Sequence, residues 1–124
     1  MRYKFFNINP LGEIKEDCVC RAISGALKIP YYVIENKLHL IGELFDCPQL
    51  CVCCYKHLLD SVYGLDRIEE CKGMTVKEFL DIFNKGTYII RVEGHLTFGC
   101  DGELKDIWNC KNEIIDIVWE VREY

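Results

Sequence analysis

The chain has 124 residues, half of them apolar and 28% charged, with a net charge of −5. That length suits one domain with one good core and is too short for two. An acidic chain lacks the basic face that phosphate neutralisation needs, which argues against nucleic acid as the main partner. No apolar run approaches the ~18 residues of a membrane span, and no charged-then-apolar leader precedes the fold, so no membrane partner is expected. Nine cysteines is an odd count, and four of them crowd together as Cys47, Cys51, Cys53 and Cys54. This does not look like a paired disulfide framework, and free thiols in a reducing cytoplasm fit better.

In chain order, residues 7–12 (Asn-Ile-Asn-Pro-Leu-Gly) predict an extended approach and a turn. Asp17 is placed to cap a helix from Cys18 to about Leu27, which Pro30 separates from the next element. Ile34, Leu38, Ile41 and Phe45 recur at helical spacing and predict a second helix over 31–44. Pro48 suits the first turn of a third helix reaching to about 62, with Leu50, Cys54, Leu58 and Val62 inward. Residues 64–73 read as a loop with at most one short strand. Thr75-Val76-Lys77-Glu78 is a capping box. It opens a fourth helix with Val76, Phe79, Leu80 and Phe83 on one side, and Gly86 ends it.

The remainder is strand: 87–92, a hairpin about Asp101-Gly102, and 113–121. Helices come first and an antiparallel sheet follows, so the class is α+β. From 101 to 124 seven acids stand against three bases. A solvated sheet edge is the plain reading of that bias.

The hairpin carries chemistry. If Asp101-Gly102 is a two-residue turn, Cys100 pairs with Glu103, His95 faces Trp108 and Thr97 faces Asp106. Side chains alternate along a strand, so these four share one face. His95 and Asp106 are diagonal neighbours at roughly 7–8 Å between backbones. Leu96, Phe98 and Ile107 form an apolar set on the other face. Cys18 would sit in the first turn of its helix, where free N–H groups and the helix dipole favour thiolate. A nearby imidazole would strengthen that preference, and Asp106 would hold the ring in one orientation. The Cys18 backbone N–H is a natural oxyanion donor.

Asn9-Pro10-x-Gly12 and Asp17-Cys18-Val19-x-Arg21-Ala22-Ile23-Ser24 resemble a family of short uncharacterised proteins from phages and low-GC Gram-positive bacteria. Met74-Thr75-Val76-Lys77-Glu78-Phe79 and Gly86-Thr87-Tyr88-Ile89-x-Arg91-Val92-x-Gly94-His95-Leu96-Thr97 are similar to it too, as is Asp101-Gly102-x-x-x-Asp106-x-Trp108. More distantly the plan resembles papain-like cysteine peptidases, including bacteriocin-leader peptidases and cell-wall endopeptidases. The resemblance covers about 7–30 and 73–110 and leaves the cysteine-rich middle outside. It implies a papain-like fold and a catalytic Cys18, His95 and Asp106, in a protein of the bacterial host's cytoplasm. It implies no cofactor and names no substrate.

Two departures stand out. Papain-like enzymes usually carry a glutamine shortly before the nucleophile to complete the oxyanion hole. This chain has none there, and Asn7 or Asn9 is the candidate substitute. Cys20 lies two positions after Cys18, about 200° around the helix, so only one of the two can face His95. Cys18, directly after the cap, is the one expected to do so.

Other candidates have plainer readings. His39 and His57 are expected at the surface or at its boundary. Arg21 is expected to pair with a carboxylate or a terminal carbonyl, or to bind an acidic group of a substrate. Trp108 is expected either in the core or as a wall shielding the site. The Cys47–Cys54 cluster with His57 invites zinc. However, Cys47, Cys51 and Cys54 would share one helical stripe and no second Cys-x-x-Cys knuckle appears, so the cluster reads as structural, without metal.

The reading is a cysteine peptidase or amidase acting on a peptide, isopeptide or related acyl bond, with a peptide or protein substrate. Acyl transfer by the same residues is indistinguishable at this level. The alternative is a catalytically silent interaction protein on the same fold, such as a phage-encoded inhibitor of a host defence system, whose partner is a host protein.

Overall fold

The structure is a computed structural model that describes residues 1–48 and 50–122. The chain runs β1 (Arg2–Phe5), α1 (Cys18–Leu27), α2 (Tyr31–Phe45), α3 (Val52–His57), a π turn (Leu58–Val62), β2 (Asp66–Arg67), α4 (Val76–Ile82), β3 (Thr87–Val92), β4 (His95–Cys100), β5 (Glu103–Asp106) and β6 (Ile115–Val121). The α+β class is as expected from the sequence. Six strands form one sheet in the order β1-β5-β4-β3-β6-β2.

The sheet is not wholly antiparallel. β1 pairs with β5 in parallel, Arg2 opposite Glu103 and Phe5 opposite Asp106, whereas every other pairing is antiparallel. The sequence reading contains no opening strand, because Arg-Tyr-Lys-Phe has only four residues and its partner lies a hundred positions away. Nor is β6 an edge, since the two-residue β2 covers its far side.

The expected hairpin forms with the expected register next to its turn, but the ladder stops short of the expected Thr97–Asp106 and His95–Trp108 pairs. Cys100 faces Glu103, Gly99 faces Leu104 and Phe98 faces Lys105. Asp101 and Gly102 both have positive φ, 50° and 77°, which is the type I′ turn that matches strand twist. β5 stops at Asp106, so Ile107 and Trp108 leave the ladder there.

Both faces of the sheet are covered. Ile89, Leu96, Phe98 and Trp119 pack with α1, α2 and α3 on one side. Tyr88, Ile90, Val92, Leu104 and Val118 pack with α4 on the other. Neighbours Ile89 and Ile90, and likewise Val118 and Trp119, therefore enter different cores. This double coverage makes β3 read as a near-continuous apolar run. The capping box is present, Glu78 N–H donating to Thr75 Oγ1 and Thr75 N–H to Glu78 Oε1.

The middle of the chain departs from expectation. The third helix begins at Val52 rather than Pro48 and passes into the π turn after His57. Cys54 and Leu58 are buried as expected, but Leu50, which lies before α3, and Phe45 and Val62, the last residues of α2 and of the π turn, are exposed. Asp17 also differs. It precedes α1, yet its carboxylate caps no helix N–H.

α1 lies very close to β4. A Cβ built on Gly25 would stand 2.6 Å from two ring carbons of Phe98, so the helix–strand approach depends on glycine there. This approach brings the start of α1 beside the start of β4, where the site lies.

Candidate active site

Cys18 opens α1 and His95 opens β4, while Asp106 ends β5. All three stand at one end of their elements, where the chain is leaving regular structure. The His95 Nε2 and Asp106 Oδ2 atoms are 2.6 Å apart. The His95 ring and the Leu96 backbone both act on the Cys18 thiol in the direction of thiolate, and Cys18 and His95 line the same cleft. With Nε2 committed to the carboxylate, Nδ1 is the ring nitrogen left for the thiol.

The electrostatics agree with the contacts. Burial alone would push the Cys18 thiol up, but the His95 hydrogen bond, the Leu96 N–H and the positive charges of His95 and Arg21 bring it below the ordinary thiol range. Burial would likewise favour neutral His95, but hydrogen bonds to Asp106, Cys110 and Cys18 outweigh it and push the imidazolium up to about 11. Asp106 is 3% exposed. Burial favours its protonated form, yet the hydrogen bond and charge of His95, with the Ile107 N–H, hold it below the usual carboxylate range. Both shifts run toward thiolate and imidazolium. Cys20 is in the opposite condition: 2% exposed and pushed up to about 12, chiefly by burial. Of the two thiols on α1, Cys18 is the one at His95.

Behind these residues lies a buried polar chain. Arg21 Nη1 donates to Asp106 Oδ1 at 3.0 Å, and Arg21 Nε donates to Asp17 Oδ1 at 2.6 Å. Asp17 Oδ2 also accepts from Asn9 Nδ2 at 2.9 Å and from the Tyr31 hydroxyl at 2.8 Å. Burial would raise the Asp17 pKa, but these three donors and the Arg21 charge lower it. Arg21 therefore pairs with two carboxylates, one of them Asp106. Asn9 is spent in this chain: its amide N–H goes to Asp17, and its Oδ1 accepts from Leu11 N–H at 2.9 Å. It does not line the cleft, so the expected side-chain substitute for the oxyanion glutamine is turned elsewhere. Asn7 is likewise engaged, donating to the Glu13 carbonyl.

Cys18 and His95 lie at the floor of an open cleft of about 530 Å³. Trp108 is 45% exposed and forms a wall, its ring 4.9 Å from that of His95 in an edge-on contact. It is not core. Leu50 and Val52 contribute apolar surface opposite, and Arg91 and Lys15 contribute positive charge. Arg91 is anchored from two sides, by the Tyr55 hydroxyl at 2.7 Å and by the Asp116 carboxylate. The β3–β6 register skips Asp116, a bulge that turns this carboxylate toward Arg91.

Sequence reasoning missed Arg91, Tyr55 and Cys110. The Cys110 thiol is buried 4.0 Å from Asp106 Oδ2 and lies close to the His95 ring. No spacing or pattern marks it. His95, Asp106 and Cys110 have the ligand types for a metal and are close enough to share one. The Arg21 guanidinium on the same carboxylate would repel a dication, so the group suits proton transfer better. His39 is exposed and pairs with Glu43 at 3.0 Å, and His57 packs edge-on against Phe45.

No helix among the described residues is long and apolar enough to cross a membrane. In comparisons with family models, curated proteins and solved structures, nothing matches this chain.

Proposed function

We propose that the protein is a papain-like cysteine hydrolase that cleaves a peptide, isopeptide or related acyl bond. The observation that carries this reading is the His95–Asp106 hydrogen bond with His95 and Cys18 lining one open cleft. The Cys18 thiolate attacks the carbonyl carbon, forming a C–S bond while the carbonyl electrons move to oxygen. The N-terminus of α1, free of any side-chain cap, offers its backbone N–H groups to that oxyanion. The His95 imidazolium gives its proton to the leaving amine as the C–N bond breaks, which leaves a thioester. Neutral His95 then takes a proton from water as it attacks, and the acid departs with the thiolate restored. An amine in place of water gives acyl transfer by the same steps. Asp106 keeps the ring oriented throughout, and Arg21 keeps Asp106 ionised.

The test is covalent capture. Incubation with a panel of peptidyl electrophiles and activated acyl esters should add one acyl group per chain, mapped to Cys18, with no adduct in Cys18→Ala. A wild-type chain that reacts at no rate above that of denatured protein sinks the reading.

One observation favours the alternative, a silent interaction protein such as an inhibitor of a host defence system. Asn9 is bonded to Asp17, so among the described residues no side-chain amide lines the cleft beside Cys18 to complete an oxyanion hole. In that case the cleft binds a partner, and Cys18→Ala leaves binding unchanged.

A further inference from the structure

Four thiols meet at the turn between α2 and α3. The Cys47 sulfur lies 2.8 Å from that of Cys54 and 2.9 Å from that of Cys53, which in turn is 3.2 Å from Cys51. All four are free thiols. The spacing along the sequence counts against a metal because it puts three of the cysteines on one helical stripe. That stripe does not form. Cys47 follows α2, Cys51 precedes α3, and only Cys53 and Cys54 are on the helix. The turn supplies two sulfurs and the helix supplies two, which is the division of ligands that tetrahedral thiolate sites use.

We propose that Cys47, Cys51, Cys53 and Cys54 form a tetrathiolate site for one zinc ion. Four soft sulfur donors in a compact cluster select zinc over hard cations. With metal–sulfur bonds of about 2.3 Å, the sulfurs of a tetrahedron stand roughly 3.8 Å apart. Cys47, Cys53 and Cys54 already stand close enough to share one ion, and Cys51, 3.2 Å from Cys53, must swing inward to complete the four. Four Zn–S bonds form and four S–H protons leave to solvent; the metal stays divalent and nothing is oxidised. The site lies at the surface, so an ion can enter directly. It has a consequence for the cleft, because Leu50 and Val52 belong to the same turn and line the wall near Cys18. Zinc would pin that wall. This inference is independent of whether Cys18 is catalytic.

The experiment uses the full chain, expressed in zinc-supplemented medium and purified with reductant and without chelator. Elemental analysis should find one zinc per chain in wild type, Cys18→Ala and Cys110→Ala, and close to none in Cys47→Ser. Replacement by cobalt(II) should give wild type the intense visible bands of a tetrahedral thiolate complex, a readout that needs no variant to fold. The proposal is overturned if wild type retains no zinc and shows no such bands. It is equally overturned by a Cys47–Cys54 disulfide in the reduced preparation, or by zinc that survives Cys47→Ser and leaves in Cys110→Ala, which would put the ion at His95.

Discussion

Arg21 shows how one side chain ties the candidate site to the rest of the fold. It is 6% exposed and bridges two buried carboxylates, Asp17 and Asp106. Removing it leaves both charges uncompensated in a dry environment, a loss that typically costs about 3–5 kcal/mol. Arg21→Ala should therefore lower the urea midpoint by that equivalent, and Arg21→Lys should recover only part of it, since one ammonium cannot span both carboxylates as a guanidinium does. A loss under about 1 kcal/mol in Arg21→Ala would show that the bridge is incidental. That Arg21 would pair with a carboxylate was legible in the sequence, though not which one. That Asp17 would be a buried hub was not, because an aspartate before a helix carries the same local signal whether it caps or pairs. Asn9 and Tyr31 reach it only after α1 and α2 have packed.

At the scale of elements, the approach of α1 to β4 is what brings Cys18 to His95. Gly25 allows it, with no room for a methyl group against the Phe98 ring. Gly25→Ala should cost about 1–3 kcal/mol by overpacking, more than the helix-propensity gain of alanine returns. The helix must tilt or shift to make room, so Cys18 alkylation should slow toward that of an ordinary thiol in the same variant. Unchanged stability and unchanged Cys18 reactivity would show that the contact does not position the site. Local patterns foretold α1, α2, α4 and the β4–β5 hairpin well, since caps, periodicity and the Asp101-Gly102 turn are signals carried by adjacent residues. The β1–β5 pairing, the late start of α3 and the convergence of its cysteines depend on contacts between distant segments, and no local signal announces them.

For the whole molecule, the linked titrations of Cys18 and His95 shape stability against pH. His95 is raised from 6.5 to about 11 in the folded chain. Its contribution is complete below about pH 6.5 and is lost as pH rises toward 11. Cys18 is lowered from 9.0, so its contribution is present above 9.0 and is lost as pH falls through its folded value. Between about pH 6.5 and 8 the two slopes oppose, because unfolding releases a proton from His95 and takes one up at Cys18. Wild-type stability should fall less steeply there than the His95 slope alone would give. In Cys18→Ala only the His95 slope remains, and stability should fall by up to about 1.4 kcal/mol per pH unit across that window. Parallel profiles for the two proteins, from urea unfolding at each pH, would contradict the coupling. Below that window both should weaken together, since Asp17 and Asp106, lowered from 3.8, lose their contribution as pH falls through their folded values.

The central claim is that Cys18 and His95 exist as a thiolate–imidazolium pair. The pH dependence of alkylation at each cysteine, resolved by peptide mapping in wild type and His95→Ala, tests it directly. The account predicts that Cys18 reacts with a midpoint well below the ordinary thiol value of about 8.5, that His95→Ala moves this midpoint up, and that Cys20 stays inert in both proteins. A Cys18 midpoint at or above the ordinary value, or one indifferent to the loss of His95, would contradict it.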